Sequence, residues 1–361
     1  MEMKISNMSA QDVDLNSIKQ SKNQFGWKWY LKDIVLDKPV KVFSTFPCGG
    51  GSTMGYKRAG FKVLGNVELD PRMNDIYVKN HHPKYNFLMD LRDFNKLESI
   101  PDELYELDIL DGSPPCSVFS TAGMREKAWG IEKKFAEGQK LQYLDDLFFV
   151  FLDTVEKLRP RVVVAENVVG LLKGNAKGYV NLILRRFKEL GYNVQLFQLN
   201  SAFMGVPQSR ERVFFIANRC GYKKLRLEFD SSPISFGDVR TKKGVPLSDG
   251  VLKNYLKQRV KTDTCIADIS KRTKRKSTGF TNVIIHDWDV CPTITATGMM
   301  FRDCDGMSVS CGDIVNCQTF PQDYDFNSAA PTKVKYVCGM SVPPNMMANI
   351  AHEIWKQWFE K

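Results

Sequence analysis

Short β-branched and aromatic runs alternate with longer amphipathic ones through the first 220 residues of the chain. Lys41-Val42-Phe43, Phe61 to Val67, Leu107 to Leu110, Arg161 to Ala165, Tyr192 to Leu199 and Arg212 to Ala217 are brief apolar runs of the kind that form strands. Between them, Leu141 to Leu158 and Tyr179 to Leu190 repeat their apolar residues at helical spacing, and Pro160 and Gly191 stop them. Strands separated by helices imply parallel pairing through right-handed crossovers. The pattern predicts an α/β fold built on a doubly wound, Rossmann-like sheet, whose ligands bind beyond the C-terminal ends of the strands.

After about Arg219 the periodicity fades into Pro, Gly, Lys and Arg, which predicts a smaller, loop-rich second domain. Order returns where Pro343-Pro344 opens a helix with Met347, Ile350, Ile354 and Trp358 on one face. A stripe of that width needs a surface to cover, so this helix is expected to return to the sheet. The expected division is an N-terminal arm at 1–38, a main domain at 39–219, a second domain at 220–334 and a returning C-terminal segment at 335–361. The arm reads as a surface appendage with no assignable role, and no internal repeat is present.

Composition narrows the functional classes. The 361 residues carry 51 Lys plus Arg against 41 Asp plus Glu, a net charge of +10, with 43% hydrophobic residues. That excludes a disordered or collagenous chain and points to a polyanionic partner. No window approaches ~18 uninterrupted apolar residues, so no transmembrane helix and no membrane partner are expected. Met1 to Lys32 lacks the apolar core of a signal peptide. Nine cysteines without a Cys-x-x-Cys motif suggest a reduced, cytoplasmic setting, nucleoid-associated if the source is bacterial or phage. Cys291, Cys304, Cys311 and Cys317 fall close together, but their spacing fits no zinc motif, so no metal is expected.

Four constellations carry candidate chemistry. Phe46-Pro47-Cys48-Gly49-Gly50-Gly51 follows a strand and opens a helix, as a nucleotide-like cofactor turn or a tight structural turn would. Glu68 ends the next strand, where a carboxylate can accept from a ribose diol, and Asp90 could receive an amino group; each is otherwise a solvated loop acid. Asp111-Gly112-Ser113-Pro114-Pro115-Cys116-Ser117 places a thiol after two stiffening prolines at a strand end, which favours a reactive over an inert cysteine. Ser120 to Gly138, rich in glycine and charge, could close over a substrate. Ala165-Glu166-Asn167-Val168 ends an apolar run with groups suited to a polar ring or to a satisfied structural role. Gln208-Ser209-Arg210-Glu211-Arg212 puts two arginines on one strand face, for a carbonyl-rich ligand or for a salt-bridged edge.

In order, type and spacing these motifs resemble those of the DNA (cytosine-5)-methyltransferases. Pro114-Pro115-Cys116 is similar to that family's nucleophile motif, Glu166-Asn167-Val168 to its Glu-Asn-Val and Gln208 to Arg212 to its Gln-x-Arg-x-Arg. Cys291-Pro292-Thr293-Ile294-Thr295 is similar to its Pro-Thr segment, and Gly339-Met340-Ser341-Val342 to its Gly-Asn-Ser-Val. Three departures stand out: Cys48 and Thr319 where the family usually has glycine, and Met340 where it has asparagine.

The resemblance implies an S-adenosylmethionine-dependent methyltransferase sheet and a target-recognition domain at 220–334. It also implies methyl transfer to carbon 5 of a flipped cytosine in a specific duplex DNA sequence. Cys116 would add to carbon 6, Glu166 would hold the ring, and Arg212, Arg210 and Asn167 would complete the pocket. Phe46, Gly49, Gly50, Gly51, Glu68, Leu69, Asp90, Leu91, Pro115, Met340 and Ser341 are the implied cofactor residues. DNA contacts are expected from Ser120, Lys127 and Trp129 in the closing loop and from Lys271, Arg272, Lys274, Arg275 and Lys276. The implied protein is a monomer that needs no physically associated restriction endonuclease. A tRNA cytosine-5 methyltransferase and a catalytically silent DNA-binding homologue are the alternatives.

The charge agrees with a DNA partner. Between Cys220 and Phe280 there are 15 basic and 6 acidic residues, which accounts for +9 of the surplus. A solvated loop is the plainer reading of Lys271 to Lys276, but the position of the surplus favours phosphate contact by a recognition domain.

Overall fold

A computed structural model describes residues 25–115, 147–173, 176–273 and 282–360. Eleven strands are present among them: β1 (Lys41–Thr45), β2 (Lys62–Glu68), β3 (Tyr85–Leu88), β4 (Ile109–Gly112), β5 (Val162–Val168), β6 (Asn193–Asn200), β7 (Gln208–Ser209), β8 (Glu211–Asn218), β9 (Val283–Ile285), β10 (Cys291–Pro292) and β11 (Met300–Arg302). The helices are α1 (Gly51–Arg58), α2 (Pro71–His81), α3 (Leu91–Lys96), α4 (Leu147–Leu158), α5 (Ala176–Glu189), α6 (Phe236–Val239), α7 (Val251–Leu256), α8 (Ile266–Arg272), α9 (Cys311–Gln318), α10 (Pro331–Met340) and α11 (Pro344–Ile354).

Seven strands form one sheet in the order β3-β2-β1-β4-β5-β8-β6. Strict alternation explains its near-continuous apolar strands, because both faces are covered. Phe43, Val163, Phe215 and Ala217 point into a core shared with α3, α4 and α5. Val42, Val162, Val164, Phe214 and Ile216 point into the opposite core, which α1 and α11 close. Met347, Ile350, Ile354 and Trp358 are all buried there, so the C-terminal stripe does return to the sheet. A Cβ on Gly55 would lie 2.5 Å from Met347 Cβ, which shows how closely α1 and α11 approach.

Uniform parallel pairing is corrected by β8, which runs antiparallel to both β5 and β6. No crossover helix separates β6 from β8; Asn200 leads through one short turn and β7 directly into β8, and a connection that short returns antiparallel. β3 also escaped the hydrophobic pattern, because its four residues alternate between half-buried and exposed.

β2 carries an irregularity that admits a specific test. Val42 and Phe43 pair with Val63 and Gly65, leaving Leu64 as the extra residue of a bulge. A Cβ on Gly65 would sit 1.9 Å from the Tyr85 carbonyl oxygen, which is backbone and cannot move aside cheaply. Gly65→Ala is therefore expected to lower unfolding free energy by about 2 kcal/mol, read from urea midpoints at unchanged slope.

Residues from Phe236 onward build a further core around Phe236, Cys291, Ile294, Cys317 and Phe320, with a satellite around Tyr255, Ile266 and Phe301. Five short helices, the β9–β11 pair and β10, which reaches back to pair with β7, punctuate a region that is otherwise mostly loop. The described part of the arm is mostly exposed but anchored at Phe25 and Trp29. Trp29 is buried and donates from Nε1 to Thr319 O at 2.9 Å, and Arg58 lies 4.2 Å from the centre of the Trp29 ring.

Candidate active site

Strand register brings the central motifs to one end of the sheet. Glu166 pairs with Phe214 and Val168 with Arg212, so Glu166 and Arg212 are diagonal neighbours across β5 and β8. Their side chains meet, with Arg212 Nε 2.8 Å from Glu166 Oε1 and both largely buried. Gly112 of β4 lies beside Ala165 of β5, so the chain leading to Cys116 starts next to Glu166. Asn167 secures that lead, its Nδ2 donating to Pro114 O at 3.2 Å. Cys116 itself is outside the described residues, as are Ser120, Lys127 and Trp129.

Arg210 takes a different part from the one its spacing suggests. The strand breaks between Ser209 and Glu211, and the two arginines do not share a partner. Arg210 is buried and donates from Nη1 to Ile294 O at 3.0 Å and from Nη2 to Gly339 O at 2.7 Å. Burial pulls its guanidinium well below the ordinary arginine range, the Arg212 charge adds to that, and Glu166 opposes it. Gln208 works beside it: its Oε1 accepts from Ile294 N at 2.9 Å and its Nε2 donates to Gln318 Oε1. Gln318 in turn donates to Cys338 O at 2.7 Å and Ser341 O at 2.9 Å. These three side chains join the pocket, the Pro-Thr segment and the C-terminal motif.

The glycine turn lies at the end of β1. Phe46, Cys48 and Gly50 all have positive φ, at 54°, 50° and 85°. Glu68, at the end of β2, accepts from Cys48 N at 3.0 Å, Leu69 N at 2.8 Å and Asp70 N at 2.9 Å. Desolvation still outweighs those bonds and pushes its carboxyl up to about 7. Asp90 caps α3 through Arg92 N at 2.8 Å. Leu91 is buried in the sheet core, whereas Leu69, Phe46 and Pro115 are half-buried. Met340 is 47% exposed at the end of α10, while the Ser341 hydroxyl turns inward to Val337 O at 2.8 Å. A Cβ on Gly51 would lie 2.3 Å from Val342 O, so the turn is fitted against this C-terminal segment.

Asp111 is a group to which the sequence assigned no role. It is buried in β4 and accepts from Ser44 Oγ and Ser52 Oγ, each at 2.8 Å, and from Tyr56 OH at 3.2 Å. Desolvation pushes its carboxyl up to about 6 against those three bonds. The network ties β1 and the start of α1 to the strand that leads to Cys116.

The family description "C-5 cytosine-specific DNA methylase" matches residues 40–297. The chain belongs to that family. Among curated relatives, the type II methyltransferase M.FnuDI of Fusobacterium nucleatum is 32% identical over 231 residues, covering 63% of this chain and 62% of the relative. M.NgoPII of Neisseria gonorrhoeae is 34% identical over 191 residues, covering 53% and 50% respectively. The match thus spans about half to three-fifths of these relatives' length. Among solved structures, an E. coli prophage protein described as a DNA modification methyltransferase shares the fold, with a TM-score of 0.64 at 17% identity over 89% of this chain and all of its own.

Two of the departures from the methylase pattern have a backbone consequence. Cys48 and Thr319 replace glycines at positions with φ of 50° and 60°, the left-handed region that glycine enters most cheaply. Thr319 ends α9 there and uses its side chain, since Oγ1 accepts from Asn345 N at 3.2 Å. Of the basic candidates, Lys271 is exposed, whereas Arg272 is paired with Asp263 at 2.7 Å; Lys274, Arg275 and Lys276 lie outside the described residues.

Proposed function

We propose that this methylase-family chain transfers a methyl group from S-adenosylmethionine to carbon 5 of a flipped-out cytosine in duplex DNA, through a covalent adduct at Cys116. The observation that carries the reading is the Glu166–Arg212 ion pair, next to which Asn167 holds the Pro114 carbonyl. A cytosine presents ring nitrogen 3, an exocyclic amine and a carbonyl along one edge. Glu166 is suited to the first two and Arg212 to the third, so the pair is a pre-formed complement to that edge. Addition of the Cys116 thiolate at carbon 6 pushes electrons onto ring nitrogen 3, which takes a proton from the Glu166 carboxyl and returns it when the adduct collapses, while Arg212 donates to the carbonyl oxygen. Carbon 5 becomes nucleophilic and takes the methyl group; its proton then leaves to water and the Cys116–carbon 6 bond breaks, returning the thiolate. Reaching the ring requires extrusion from the stack, at a cost of a few kcal/mol.

The cofactor residues fit by the chemistry of their donors and acceptors. Glu68 ends β2 and Asp90 follows the neighbouring β3, and they offer acceptors for a ribose diol and an amino group, beside a turn with no room for side chains at Gly50 and Gly51. When bound, the cofactor supplies an electrophilic methyl group. The relatives named above are type II methyltransferases, and a site-specific DNA substrate for this chain follows by analogy.

Labelled S-adenosylmethionine offered with duplex DNA and with tRNA tests the reading, with bisulfite sequencing of the DNA. Label at carbon 5 of cytosines in one DNA sequence is expected. Label on tRNA alone, or DNA binding without any transfer, would replace it by one of the alternatives.

Glu68 adds a pH prediction. Its folded value of about 7 lies above the ordinary 4.5, so ionisation is unfavourable in the free protein. Stability present in acid is lost as pH rises between those values. Only the carboxylate accepts fully from a ribose diol, so cofactor affinity should fall about fivefold from pH 7 to pH 6. Titration calorimetry should find that dependence in the native protein and lose it in Glu68→Gln.

A further inference from the structure

We propose that Tyr324 and His81 form a buried clamp that sets the glycine turn for the methyl donor, which makes both of them positioning residues of that site. The proposal rests on the cofactor reading above. Its starting point is strain: Phe46 and Cys48 are non-glycine residues with φ of 54° and 50°, separated by a single proline. Such conformations persist only where the surroundings over-determine them. Cys48 N is held by Glu68, and Gly50 N by Pro47 O at 2.8 Å. Phe46 N donates to Val67 O at 3.2 Å, and a further hold comes from far along the chain, where the Tyr324 hydroxyl donates to Gly49 O.

The chemistry of that hydroxyl fixes its second partner. Its one proton is used on Gly49, so the oxygen can only accept from His81 Nε2, 3.0 Å away. His81 is therefore the Nε2–H tautomer, and burial, reinforced by the Lys57 and His82 charges, keeps the ring neutral. The ring also fills the space beneath the turn. A Cβ on Gly50 would lie 2.1 Å from His81 Nε2. His81 ends α2, its carbonyl takes Lys57 Nζ at 2.7 Å, and its ring packs 4.4 Å from Tyr77. Tyr324 is fixed from the other side by Phe320, at 4.9 Å between ring centres. Both clamp residues are buried. A turn held this way needs no reordering when ligand arrives, whereas a relaxed turn binds only in the fraction of molecules that adopt the competent form.

The test is calorimetric titration of the full chain with S-adenosylmethionine. Tyr324→Phe and His81→Leu should each weaken binding about tenfold, as for a turn competent in roughly one molecule in ten. His81→Gln, whose amide can still donate to Tyr324, should bind close to the native protein. Combining Tyr324→Phe with His81→Leu should add nothing further, because the two act in series. Tyr77→Phe removes a buried hydroxyl bonded to Thr53 at 3.1 Å, next to the turn but not on it, and should leave affinity unchanged. In methyl transfer, Tyr324→Phe should raise KM for the cofactor while kcat at saturation holds. Native affinity in Tyr324→Phe, or an equal loss in Tyr77→Phe, would overturn the clamp. Absence of binding by the native protein would instead overturn the methyl-donor reading on which it rests.

Discussion

Cys116→Ala is expected to reduce methyl transfer by at least about 10⁴-fold, to background, while DNA and cofactor affinities stay within about threefold of native. Carbon 5 of cytosine becomes nucleophilic only while carbon 6 carries an added group, and alanine has nothing to add. The proposed partners of Cys116 would remain in place in the variant. Glu166 and Arg212 are held by the β5–β8 register and by each other, and Asn167 by the Pro114 carbonyl. Loss should therefore fall on kcat. A duplex with 5-fluorocytosine at the target separates the mechanism from a general loss of fold. The native protein should be trapped on it in a denaturant-stable complex, because fluorine does not leave as a proton does, and Cys116→Ala should not. Undiminished turnover in the variant, or trapping that survives the substitution, would remove Cys116 from the mechanism.

The parts of this molecule that were legible in the sequence are those written as local pattern. Val42 against Phe43, or Val163 against Val162 and Val164, divide between two cores because strand residues alternate. The helical stripe at Met347, Ile350 and Ile354 was equally plain. Glu166 and Arg212 could be grouped by motif, but their contact depends on β8 running antiparallel to β5, which hydrophobicity alone does not state. What stayed hidden was long-range polar work. Gln208 meets Gln318, 110 residues away, and Asp111 collects Ser44, Ser52 and Tyr56 from other elements. Such residues carry no periodicity, so nothing in a window around them marks the partner. Charge runs hide partners in a related way: Arg272 belongs to the basic run and pairs with Asp263.

Arg210→Met is expected to destabilise the fold by about 2–4 kcal/mol and to do so unevenly. Two buried carbonyls, Ile294 O and Gly339 O, lose their donors, and each unsatisfied group costs about 1–3 kcal/mol. Against that, methionine removes a buried cation whose desolvation is already visible in its lowered pKa, so the sum is less than the two losses together. Arg210→Lys should recover little, because one ammonium on a flexible stem cannot span two carbonyls that a planar fork reaches at 3.0 and 2.7 Å. The loss should concentrate where Arg210 ties separate segments together. Hydrogen exchange is expected to quicken in Cys291 to Thr295 and in Val337 to Ser341, while β1, β4 and β5 keep their protection. If this joint is what holds the Pro-Thr segment against the base pocket, DNA affinity should fall along with that protection. Uniform loss of protection across the central sheet would mean that Arg210 supports the core as a whole, and a change within 0.5 kcal/mol would mean that Gln208 and Gln318 suffice without it.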